Sequence, residues 1–100
     1  MLRRWRIVRA VKLAFDPEKD VINRQKHGVP LALAELLFQG PHLTVADDRF
    51  DYGETRRIAF GFIRSRLFVC VHVDRGAERR VISLRKANSR EVERFAPQIK

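Results

Sequence analysis

The chain has 100 residues, 45% of them hydrophobic and 33% charged, with a formal net charge of +9. That length suits one domain with one core, and the composition is globular rather than disordered. It excludes a cleft between two large domains, a cysteine-rich metal site, since Cys70 is the lone cysteine, and a membrane-spanning helix, which needs roughly 18 apolar residues in a row.

From Ile7 to Phe15 the odd positions are apolar except Arg9, the period of a strand, although Trp5, Val8, Val11 and Phe15 also fit one face of a helix. Asp16-Pro17 reads as a helix start: the carboxylate caps free N–H groups, and proline suits the first turn, where no N–H is needed. This helix should run to about His27, with Gly28 as its left-handed C′ residue. Val29-Pro30 opens a second helix with Leu33, Ala34, Leu37 and Phe38 on one face, and Gly40-Pro41 stops it.

The remainder reads as a β-meander. Strands are expected over residues 42–46, 56–63, 67–74 and 79–85, separated by a polar loop (47–53), a tight turn at Arg64-Ser65-Arg66 and another at Arg75-Gly76. Asn88 caps a final helix, with Glu91 placed for a capping box and Val92, Phe95 and Ile99 as its apolar stripe. The order β-α-α-β-β-β-β-α predicts one α+β domain spanning 1–100, with 1–12 a basic extension. Its antiparallel sheet of four to five strands would carry two N-terminal helices and one C-terminal helix packed on one face.

The positive charge sits at the ends. Arg3, Arg4, Arg6, Arg9 and Lys12 occur with no acid among residues 1–12, and residues 79–100 hold seven basic residues against Glu91 and Glu93. Such a field favours a polyanionic partner. Strand alternation puts Ser83 and Arg85 opposite Ile82 and Leu84, and puts Val69, Val71 and Val73 opposite Phe68, Cys70, His72 and Asp74. If the helices cover the aliphatic set, the open face collects Ser83, Arg85 and His72. Phe68 there is placed to stack a base, or else packs in the core. Cys70 reads as a small buried hydrophobe, which fits a reducing cytoplasm.

Glu54 and Arg56, two apart in a strand, share a face, either as a site pair or as a surface ion pair. Lys26 and His27 end the first helix, where cations interact well with the helix dipole, and an imidazole there can also transfer a proton near neutral pH. The loop acids Asp47, Asp48 and Asp51 read more simply as solvated than as ligands of a divalent ion. There is no HExxH, glycine-rich phosphate loop or GxSxG.

Several segments together carry a resemblance. Phe15-Asp16-Pro17-Glu18-Lys19, Asn23 and Lys26-His27-Gly28-Val29 are followed by Gly53-Glu54-Thr55-Arg56. Then come Val81-Ile82-Ser83-Leu84-Arg85-Lys86-Ala87 and Arg90-Glu91. In order and spacing they resemble the BrnT family of bacterial ribonuclease toxins over roughly residues 13–96. The resemblance implies a RelE-like fold and RNA cleavage without metal or cofactor, inhibiting translation in the cytoplasm. It also implies a cognate antitoxin that neutralises the toxin in a hetero-oligomer, with operator DNA reached through that complex. On this reading His27 or Glu54 transfers the proton, and Arg56 and Arg85 clamp the phosphate. Lys26, Arg57, Ser83 and Lys86 support RNA binding. The alternatives are a non-catalytic basic nucleic-acid- or protein-binding module, and an inactive toxin homologue acting in autoregulation.

Overall fold

The computed structural model describes residues 12–49 and 53–99. The expected strand before Lys12, and Phe50, Asp51 and Tyr52 of the polar loop, lie outside them. Five strands form one mixed sheet in the order β1-β5-β4-β3-β2. They are β1 (Lys12–Ala14), β2 (His42–Asp47), β3 (Arg56–Ile63), β4 (Arg66–Arg75) and β5 (Glu78–Lys86). All neighbours are antiparallel except β1, which runs parallel to β5 and pairs only with Glu78–Arg80.

The local signals set the helix bounds. In α1 (Pro17–His27), Asp16 accepts from the Glu18 N–H at 2.9 Å and Gly28 closes the C-terminus at φ 71°. The second helix starts later than expected. After Pro30 the chain makes one 3-10 turn (Leu31–Leu33) before α2 (Ala34–Gln39), and the first N–H of that turn, on Leu31, is taken by Asp20 Oδ1 of α1 at 2.8 Å. Asn88 and Glu91 form the expected capping box at the start of α3 (Ser89–Phe95).

The helices do not share one face. β4 is apolar on both sides, so its alternate residues serve two cores. Phe68 and Cys70 join Leu31, Ala34, Leu37, Ala59, Val81 and Leu84 beneath α1 and α2. Leu67 and Val69 join Phe60 and Ala87 on the other side, where Phe95 of α3 stacks on Phe60 at 4.0 Å between ring centroids. The expected face assignment is therefore reversed for β4, although Leu84 of β5 is covered as expected. The two N-terminal helices take the side that holds Phe68, Cys70 and His72, and α3 alone covers part of the Val69 side, where all the helices were expected. Phe68 is 7% exposed and belongs to the core, not to a base-stacking surface.

His72, expected on the open face, is buried instead. Its Nδ1 lies 2.9 Å from Asp74 Oδ1 and its ring meets Phe38 edge-on. Arg79 binds Asp74 through Nε and Nη2 and lies 4.3 Å over the Phe38 ring, so this cluster ties α2 to β4 and β5. Cys70 is fully buried, and burial pushes its thiol up to about 12.

Strict alternation fails once more in β5. Val71 pairs with Ser83 but His72 pairs with Val81, so Ile82 is an extra residue in a β-bulge. Leu84 is fully buried while Ile82 is only half-buried, although alternation would give them the same side.

Candidate active site

Because β1 ends at Ala14, the edge of β5 beyond Arg80 has no strand beside it. An uncovered N–H and C=O at Leu84 would be costly in the core. Asn23 of α1 takes the place of the missing strand. Its Nδ2 donates to Leu84 O and Val29 O, both at 2.8 Å, and its Oδ1 accepts from the Leu84 N–H at 3.1 Å. One buried amide thus fixes α1, the turn after it and β5 together. It explains why Asn23 stands in a helix otherwise lacking buried residues.

That docking builds a shallow pocket of about 210 Å³ between α1 and the bulge. Lys19, Ile22, Asn23, Lys26 and His27 line it from the helix, and Ile82 and Ser83 from β5. The bulge brings Ile82 and Ser83 to the same pocket, which regular pairing would not do. The volume is below the range of ordinary small-molecule sites and suits one phosphate or sugar of a longer polymer. Partial burial, Lys26 and Arg85 lower the pKa of His27 below its usual 6.5, in that order of size. The imidazole is therefore mostly neutral at pH 7 and able to accept a proton.

Arg85 stands next to this pocket. Its Nη1 and Nη2 donate to Glu91 Oε1 and Oε2, both at 2.8 Å, and Nη1 also reaches Lys86 O at 3.3 Å. Arg49 adds a second positive field at Arg85. Lys86 pairs with Phe68, and Arg57 pairs with His72; both lie on rows of the sheet facing α1 and α2, across from the row of Ser83 and Arg85.

Glu54 belongs to a different cluster. It receives Nε and Nη2 of Arg75 at 3.1 and 2.8 Å. That bond is the largest cause of its lowered pKa; desolvation opposes it, and the charges of Arg75, Arg56 and Arg80 lower the pKa further. Arg75 pairs with Glu78, whereas Arg85 pairs with Val69. At roughly 3.3 Å per residue, the row of Arg75, which holds Glu54, lies about 20 Å along the strands from that of Arg85. Arg56 precedes Arg57, the partner of His72, and so falls between the two clusters. The structure therefore brings Lys26, His27, Ser83 and Arg85 together and leaves Glu54 and Arg56 towards the β4–β5 turn.

Sequence reasoning did not single out Lys19, Asn23 as a structural tie, Arg49, Arg75, or Glu91 as the partner of Arg85. Lys19 and Asn23 had a legible signal: they share a helical stripe with Lys26 and His27 at three- and four-residue spacing. The loop acid Asp47 is buried and held by Arg49 through Nε and Nη2 at 2.8 and 3.0 Å, so it is an ion-pair partner. Among the described residues no three His, Cys, Asp or Glu side chains converge as metal ligands, and no helix is long and apolar enough to cross a membrane.

Comparison with curated proteins yields no match. The family model described as the ribonuclease toxin BrnT of type II toxin–antitoxin systems matches residues 15–91, a span that runs from the cap of α1 to Glu91 and contains the whole pocket. The chain belongs to the BrnT family of ribonuclease toxins.

Proposed function

We propose that this chain is a metal-independent endoribonuclease whose cleavage site is the pocket between α1 and the β5 bulge, and that its cutting of RNA inhibits translation. The observation that carries the reading is a space the size of one phosphodiester lined by a mostly neutral imidazole and two lysines, with Arg85 near enough for its charge to act on that imidazole. Acids do not line this pocket, so its field is positive, as a polyanion requires.

The chemistry follows from what RNA carries. His27 takes the proton of the 2′-OH, and the 2′ oxygen forms a bond to phosphorus. Arg85 and Lys19 stabilise the charge on the phosphorane, since guanidinium and ammonium groups placed at developing charge act before and during the step. The bond from phosphorus to the 5′ oxygen breaks, and Lys26 delivers a proton to that oxygen. The products are a 2′,3′-cyclic phosphate and a 5′-hydroxyl, with the Lys26 proton restored from His27 through solvent. Ser83 hydrogen-bonds the sugar or phosphate. Arg56 and Arg57 guide the strand towards the pocket from outside it, and Lys86 does so from the far end of β5.

Glu54 is less suited to the proton transfer. Its carboxylate is engaged by Arg75, and a lowered pKa makes it a weaker base. The RelE-like architecture, the neutralising antitoxin in a hetero-oligomer and the operator contact through that complex belong to the same proposal.

The test uses purified wild-type protein and the His27→Gln and Glu54→Gln variants on defined RNA in EDTA. The proposal expects a loss of roughly 10²–10⁴ in rate for His27→Gln and less than about tenfold for Glu54→Gln. EDTA-sensitive cleavage, or salt-sensitive RNA binding without any cleavage, contradicts it.

A further inference from the structure

Arg85 is engaged in an unusual way for a phosphate ligand. Glu91 takes the end of the guanidinium, through Nη1 and Nη2, and the Lys86 carbonyl takes the inner side of Nη1. A guanidinium has five N–H donors in a planar fork. Three are thereby used, and the two that remain, Nε–H and the second proton of Nη2, lie side by side on one edge. Among the described residues nothing else bonds this edge, and the side chain is 37% exposed.

The carboxylate that fixes the other end is itself fixed. Glu91 Oε1 accepts from the Asn88 N–H at 2.9 Å, while Asn88 Oδ1 accepts from the Glu91 N–H at 2.9 Å. Its side chain is 19% exposed. The capping box of α3 and the orientation of Arg85 therefore share one side chain.

We propose that Glu91 is the positioning residue for Arg85, holding the guanidinium so that its free Nε/Nη2 edge receives one phosphate of the RNA in a two-bond fork. This rests on the reading of the α1–β5 pocket as the cleavage site and names the residue that orients its arginine. A bidentate fork is planar, so a guanidinium free to rotate loses the geometry that makes arginine better than lysine at such a place. Glu91 competing with phosphate for Arg85 is the contrary arrangement, in which the carboxylate would have to leave before RNA could bind.

Glu91→Gln separates these cases, because glutamine also closes a capping box and so keeps the start of α3. Asn88→Ala is the structural control. It removes the side-chain cap and leaves both bonds from Arg85 to Glu91. The expected result for Glu91→Gln is a fall in kcat of roughly tenfold or more with KM changed by less than about threefold, as misplacement of a charge-stabilising group costs rate. Asn88→Ala should lower Tm and leave kcat within about twofold. A lower KM with kcat unchanged for Glu91→Gln means that the carboxylate competes with RNA, and this overturns the proposal. So does an unchanged kcat and KM.

A second readout does not require cleavage. The Nε–H resonance of Arg85 is followed by 15N NMR while an all-deoxy oligonucleotide is added to the intact protein. In the wild type it should shift and saturate, and in Glu91→Gln the shift at saturation should be less than about half as large, with the midpoint moved by less than about threefold. If the wild-type protein cleaves nothing, the cleavage reading fails while this titration still decides the role of Glu91. Equal titrations in the two proteins overturn the positioning role.

Discussion

Replacing Asn23 by alanine removes three hydrogen bonds at once from the junction of α1, the following turn and β5. Asn23 is 4% exposed and Leu84 is fully buried, so water cannot easily replace the lost partner. The Leu84 N–H is the costliest loss, as an unsatisfied buried donor costs about 1–3 kcal/mol. The two carbonyls, which have spare lone pairs and tolerate partial satisfaction, add about 1 kcal/mol together. A total near 3 kcal/mol is a large share of the roughly 5–15 kcal/mol that holds a domain of this kind. For a domain of this size it corresponds to a fall in Tm of about 12–24 °C. Asn23→Asp should be at least as harmful at neutral pH, because it keeps an acceptor for Leu84 but sets a carboxylate against two carbonyl oxygens. Urea unfolding followed by far-UV circular dichroism gives the stability, and amide exchange at Leu84 reports the junction itself. A loss under about 1 kcal/mol, with the Leu84 amide still protected, would refute the role given to Asn23.

Further outcomes follow from the same structure. The pKa of His27 is lowered, so the cleavage rate should stay level above pH 6.5 and fall on acidification only through the depressed His27 value; a rate that rises on acidification below 6.5 contradicts its role as base. His72 is held neutral chiefly by burial, so the unfolded chain takes up a proton below its ordinary 6.5 before the folded one does. Its contribution to stability is therefore complete above pH 6.5 and is lost as the pH falls from there towards the depressed folded value. His72→Phe should flatten that part of the stability curve measured by urea unfolding, and an unchanged slope would count against it. At Gly61 an added Cβ would lie 2.9 Å from Leu37 Cγ and 3.1 Å from His42 Cβ. Gly61→Ala should thus cost about 1–3 kcal/mol, with a neutral result showing that α2 can move away from the sheet.

Much of the architecture was legible because single residues announce it. Asp16-Pro17 with Gly28 bounded α1, and Asn88 with Glu91 started α3, since caps are local chemistry that needs no knowledge of the partner element. Face assignment was harder. β4 carries Val69 and Leu67 on one side and Phe68 and Cys70 on the other, so alternation could not tell which side α1 and α2 would take. The bulge at Ile82 was hidden for a related reason: the β4–β5 register depends on both strands, while periodicity reads one. The same holds for the site. Lys26, His27 and Ser83 come together only because Asn23 docks α1 on β5, a contact spanning 61 positions in the chain. Glu54 and Arg56 were expected to share one face of a strand, but β3 begins at Arg56 and Glu54 lies in the bend before it. Pairing of Glu54 with Arg75 depended on how β3 aligns with β4, which no spacing within β3 encodes.

The central claim is that the pocket of His27 and Arg85 cuts RNA through the 2′-hydroxyl. The most direct measurement is mass spectrometry of the ends produced from a defined RNA in EDTA, beside the same RNA with one 2′-deoxy substitution at the mapped cleavage position. The account predicts 2′,3′-cyclic phosphate and 5′-hydroxyl ends from the first and an uncut bond in the second, with His27→Gln silent on both. Cleavage at the 2′-deoxy position, or 3′-hydroxyl and 5′-phosphate ends, would contradict it.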